Sequence, residues 1–136
     1  MHNNFTHTIL HVLICLVLFM DFTPLRAQDE VINNVRAAIK AGSSRELSRH
    51  LNNVVELSIN GEKSSYSRTQ AEFVLKDFFS KYPPRDFQYT HQGSSRDGLK
   101  YAIGTYTYDR GTFMIYMVIK QFGGEYRVDI INFSEE

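Results

Sequence analysis

The chain has a single cysteine, no tryptophan, three prolines and no surplus of either charge. One cysteine cannot form an intrachain disulfide, and Cys15 lies inside an apolar run, where it acts as a small hydrophobe. Nucleic-acid binders need a concentrated positive field, because phosphate contacts supply most of their affinity. Here 15 basic residues face 15 acidic ones, so nucleic acid is not an expected partner. Beyond residue 27 the histidines are His50 and His91, far apart and without a cysteine. That gives no ligand spacing of the zinc or EF-hand kind, and neither a metal nor a cofactor is expected. No glycine-rich loop precedes a helix in the manner of a phosphate cradle; Gly93 to Gly98 falls between strands.

The longest apolar stretch, Ile9 to Met20, is interrupted by His11. It has the length of a signal-peptide core and is short of the roughly 20 residues that a membrane span requires. Leu25-Arg26-Ala27 then offers a small residue before polar Gln28-Asp29-Glu30. The expectation is a signal over residues 1–27 and one domain over 28–136, exported to the periplasm or secreted, with no membrane contact after cleavage. The alternative is an uncleaved anchor, since no Lys or Arg precedes Ile9 and Leu25 is bulky for its position. Lipidation at Cys15 would need a small residue before it, and that residue is Ile14. Losing residues 1–27 removes Asp21 and Arg26, one charge of each sign, so the mature chain stays balanced.

Val31, Ile32, Val35, Ala38 and Ile39 recur at helical spacing from a cap at Gln28 or Asp29, and Gly42 ends that helix after Ala41. Ser43 with Glu46 forms a capping box for a short second helix that carries Leu47, His50 and Leu51. From Val54 the period changes to two, which predicts a half-buried strand through Ile59. Asn60-Gly61 signals a tight hairpin turn, and Glu62 to Tyr66 is a polar edge strand. Ser67 with Gln70 caps a third helix with Ala71, Val74, Leu75, Phe78 and Tyr82 as its buried stripe and Phe79 beside them; Pro83-Pro84 stop it. Asp86–Gln92, Leu99–Tyr108, Thr112–Gln121 and Glu125–Phe133 follow as an antiparallel meander.

Strand alternation sends Phe113, Ile115, Met117 and Ile119 to one face and Met114, Tyr116 and Val118 to the other. Both faces are therefore apolar near the end of the chain. Either the sheet curls over itself or a second subunit covers its outside. Tyr106, Met114, Tyr116 and Val118, with Tyr108, form a candidate outer stripe and dimer interface; the competing assignment is plain core.

The order helix, helix, strand, strand, helix and four strands resembles the nuclear transport factor 2-like, or cystatin-like, superfamily. Residues 66–79 (YSRTQAEFVLKDFF) and 123–133 (GGEYRVDIINF) look like the long helix and last strand of an uncharacterised family of small exported bacterial proteins within it. The resemblance implies an α+β fold with N-terminal helices packed on a strongly curved, cone-shaped antiparallel or mixed sheet. It also implies a ligand pocket between helices and concave face, with Phe78, Tyr82 and Tyr101 as candidate lining. Fold alone gives no reaction.

Isomerase-like members of the superfamily pair a desolvated carboxylate with a tyrosine donor, so the candidate catalytic residues are Asp129 and His91, with Tyr101, Tyr106, Tyr108 or Tyr116 as donors. Against this, Asp129 shares a face with Arg127 and suits an ordinary ion pair, and His91 suits a solvated strand end. His50 suits a half-exposed helix face. The first expectation is thus a non-enzymatic exported domain that binds a small apolar ligand or a protein partner, as a homodimer. The alternatives are a small cofactor-independent isomerase or dehydratase, and an envelope interaction domain with no functional pocket.

Overall fold

A computed structural model describes residues 25–136. The apolar run Ile9–Met20 and Cys15, and with them most of the expected signal, lie outside the described residues. The elements are α1 (Leu25–Ala41), α2 (Ser44–Ser48), β1 (Leu51–Ile59), β2 (Glu62–Ser67), α3 (Arg68–Lys81), β3 (Asp86–Ser94), β4 (Lys100–Tyr108), β5 (Gly111–Phe122) and β6 (Glu125–Glu135).

Each boundary has a local cause. α1 buries Ile32, Val35, Ala38 and Ile39, and begins ahead of the expected cap because Leu25 to Gln28 are good helix formers. It ends in a Schellman motif: Gly42, at φ +64°, donates to the Ile39 carbonyl, and Ser43 donates to that of Ala38. Ser43 Oγ then accepts from Glu46 N at 3.2 Å and caps α2. Asn60 and Gly61 both have positive φ, as the tight β1–β2 hairpin requires. Ser67 and Gln70 form the full reciprocal capping box of α3. α3 buries Ala71, Leu75, Phe78 and Phe79, while Val74 and Tyr82 are partly buried against the same core.

The described strands form one mixed sheet in the order β2-β1-β6-β5-β4-β3, with β1 parallel to β6 and every other neighbour antiparallel. α1 packs on β3 and β6, and α3 on β1, β2 and α2. The core between helices and sheet holds Phe78, Phe87, Tyr106, Phe113, Ile115, Met117, Ile131 and Phe133, all essentially without solvent contact.

This arrangement corrects the expected cone. The α+β class and the helices on a mixed sheet hold, but the sheet is open and not strongly curved. Its edges, β2 and β3, do not pair with each other. Because β1 adds in parallel to β6, the β1–β2 hairpin widens the sheet sideways and does not fold back over it. A sheet curling over itself therefore does not account for the apolar second face of β5 and β6.

β1 also starts earlier than periodicity indicates. Leu51 pairs with Val128 and Glu56 with Ile130, so β1 carries extra residues across this irregularity. Regular alternation resumes only beyond the irregularity, where the sequence pattern becomes visible.

Candidate functional site

The space where a pocket was expected is packed with rings. The Phe78 centroid lies 4.4 Å from that of Phe133, 5.0 Å from Phe113, 5.1 Å from Tyr82 and 5.6 Å from Tyr106. The Tyr106 hydroxyl donates to the Tyr82 carbonyl, so the one polar atom of this cluster's centre is used in closing the end of α3. Burial raises the Tyr106 hydroxyl pKa well above the ordinary tyrosine range, which keeps it neutral and a donor. Tyr89, also raised by burial, donates to the Ile32 carbonyl at 2.8 Å and ties edge strand β3 to α1.

Of the candidate pocket residues, Phe78 is the centre of this cluster and Tyr82 its half-buried margin. Tyr101 lies elsewhere. It is 38% exposed on the opposite face of the sheet, with its ring directly across Gly93. The three residues do not come together.

The catalytic candidates are also separate. His91 is exposed on edge strand β3 opposite Ile103, with its Nδ1 3.4 Å from Thr90 Oγ1. Asp129 sits at a register shift in β6, on the far side of β4 and β5 from His91. Its partner is Lys120, at 2.9 Å, and not Arg127; Asn52 Nδ2 adds a long contact at 3.4 Å. Arg127, which lies across from Lys120 in the ladder, donates to the Arg49 and Leu51 carbonyls and pairs with Glu125. Asp129 is thus a lysine-paired carboxylate, with its side chain 19% exposed. Among the described residues no group of three or more His, Cys, Asp or Glu could hold a metal ion, and no helix is long and apolar enough to cross a membrane.

The outer face of the sheet is better defined. Cross-strand register places Tyr101 beside Val118 and Val118 beside Ile130. The next row joins Ile103, Tyr116 and Asn132, and the row after that Thr105, Met114 and Ser134. Val118 is 8% exposed and Met114 37%; Ile103, Tyr116 and Ile130 are half-buried. Met114, Tyr116 and Val118 occupy the outer stripe as expected. Tyr106 does not: it pairs with Phe113 and shares that residue's inward face. Tyr106 is an even-numbered residue like Met114, but antiparallel pairing across the β4–β5 turn reverses the parity between the two strands. Ile103 and Ile130 also belong to the stripe, and their faces follow from register and not from alternation within one strand.

Two clefts border His50. One, of about 400 Å³, runs along α1 and α2 past Asn34, Glu46 and Arg49; the other, of about 260 Å³, reaches Tyr126 and Arg127. Burial lowers the His50 pKa from its ordinary value, Glu46 and Glu30 oppose this, and Arg127 and Arg49 reinforce it. A third cleft, of about 650 Å³, lies where the end of α3 meets the β4–β5 turn. Of its residues, Tyr108 is a sequence candidate only as a donor or as part of the outer stripe, and Arg110 and Glu135 carry no site signal beyond the turn at Asp109-Arg110-Gly111.

An α+β unit with these helices on this strand order has the nuclear transport factor 2-like fold. A solved protein of that description and unknown function from Silicibacter pomeroyi superposes with a TM-score of 0.60 at 13% identity, covering 82% of this chain and 95% of its own. Within that fold, residues 32–134 match the domain of unknown function DUF4783, and the chain belongs to this family. Solved members of the family include proteins from Bacteroides species. The Bacteroides fragilis protein is 33% identical, with a TM-score of 0.71 over 76% of this chain and 96% of that one. The Bacteroides ovatus protein is 29% identical, with a TM-score of 0.72 over 76% and 93%. Comparison with curated proteins gives no match.

Proposed function

We propose that this is an exported domain that acts by binding, without catalysis, and that its docking surface is the outer sheet face, occupied by a second copy of the chain. The observation that carries the proposal is the apolar band of Tyr101, Ile103, Tyr116, Val118 and Ile130 on a sheet whose opposite face is already covered by helices. An antiparallel sheet with one face on a core normally presents a polar second face. This one presents branched aliphatic side chains together with aromatic and Met side chains, and the last two are types enriched where protein surfaces meet.

A second copy suits the face on charge grounds. The charged groups beside the band are paired within the chain, Lys120 with Asp129 and Lys63 with Glu56. Two copies related by a twofold axis therefore meet apolar band to apolar band with little repulsion. The filled interior supports binding over catalysis, since Phe78 and its neighbours occupy the place of a substrate. Export is supported by the Ile9–Met20 run and the small residue Ala27 before a polar start.

Photocrosslinking tests the proposal. With benzoylphenylalanine at position 116, the chain should crosslink to a second copy of itself. The same probe at position 73, where Phe73 is 68% exposed on α3, should not. No self-crosslink at 116, or equal crosslinking at both positions, would contradict it.

A further inference from the structure

We infer that the cleft between the end of α3 and the β4–β5 turn is a binding site for a neutral carbohydrate. Its floor is two tyrosine rings held in place from behind. The Tyr82 ring packs on Phe78 at 5.1 Å and Phe113 at 4.8 Å, and meets Tyr108 edge-on at 5.2 Å. The Tyr108 ring rests on Phe113 at 5.5 Å, and its hydroxyl donates to Glu135 Oε1 at 2.7 Å. That bond raises the Tyr108 pKa and fixes the ring. Rings locked before a ligand arrives lose no further freedom on binding.

The rim decides the ligand class. Lys81 and Arg110 balance Asp109 and Glu135, so the cleft attracts neither a strong anion nor a strong cation. Lys81 is paired with Asp77, and Asp109 with Arg85. Among the described residues Arg110 has no ion pair, and its planar guanidinium brings a fork of donors to the cleft lining. Glu135 accepts from Tyr108 through one oxygen and keeps the other as an acceptor. Donors and acceptors side by side match vicinal hydroxyls, and an aromatic floor matches the apolar C–H face of a pyranose. An apolar ligand would leave this rim unpaired at a cost. The volume, about 650 Å³, is ample for a disaccharide.

NMR titration of the mature chain with cellobiose, maltose, lactose and N,N′-diacetylchitobiose tests the site, with galacturonate as the anionic comparison. The expected result is saturable binding of at least one neutral disaccharide, with shifts centred on Tyr82, Tyr108 and Arg110. Arg110→Ser, an exposed turn substitution that leaves the core intact, should weaken it at least about tenfold, the scale of a lost charge-assisted hydrogen bond. Lys63→Ser on the distant edge strand should not. Binding of none of the four, binding of galacturonate alone, or unchanged affinity in Arg110→Ser would overturn the inference. None of these outcomes depends on whether the outer sheet face self-associates.

Discussion

Phe78 on α3 lies with its ring centroid 4.4 Å from that of Phe133 on β6, joining the 14-residue helix to one of the two central strands of the sheet. Between them they fill the space between the helices and the sheet, where the resemblance implied a ligand pocket. The proposed reading therefore places recognition on the domain's surface.

Phe78→Ala should therefore be among the most damaging single substitutions. It removes a ring in contact with five others and leaves a cavity that this close-packed cluster cannot collapse. The expected loss is about 3–5 kcal/mol, read from guanidinium unfolding by circular dichroism. A loss below about 1 kcal/mol would mean that the interior has room to relax.

Gly104 tests the same packing from the sheet side. A methyl group there would stand 2.5 Å from the Phe87 ring and 2.8 Å from the Gln88 carbonyl oxygen. The carbonyl cannot swing away without breaking the β3–β4 ladder. Gly104→Ala should cost about 1–3 kcal/mol through overpacking, measured the same way. A neutral substitution would show that β3 moves freely against β4.

Much of this fold is legible in the sequence, for identifiable reasons. Ser67 and Gln70, Asn60 and Gly61, and Gly42 act through their immediate neighbours, so the elements they start or end are readable locally. What is not readable is set by distant pairing. The parallel docking of β1 on β6 makes the sheet open and places Leu51 beside Val128, 77 residues along the chain. The register of β4 on β5 turns Tyr106 inward and Ile103 outward. Asp129 finds its ion partner across the ladder in Lys120, and not along its own strand in Arg127. The cleft is legible only in part: Tyr82 and the turn residues could be named, but Glu135 arrives from the last strand and has no local signature.

His50 makes stability depend on pH. Burial holds its pKa below the ordinary 6.5, so the unfolded chain takes up a proton that the folded chain resists. Its effect is absent well above pH 6.5; as pH falls through 6.5 the folded state loses stability, levelling off below the lowered value. His50→Gln should narrow the difference between unfolding midpoints measured at about pH 8 and about pH 5. An unchanged difference would show that His50 does not titrate on unfolding in this range.

The outer sheet face is tested most directly by the mass of residues 28–136 in solution. Light scattering coupled to gel filtration should give twice the mass of one chain for the wild type. Tyr116→Arg, which places a charge in the middle row of the band between Ile103 and Asn132, should give the mass of one chain with unchanged circular dichroism. A wild type already at the mass of one chain, or a Tyr116→Arg protein that keeps the doubled mass, would contradict the account.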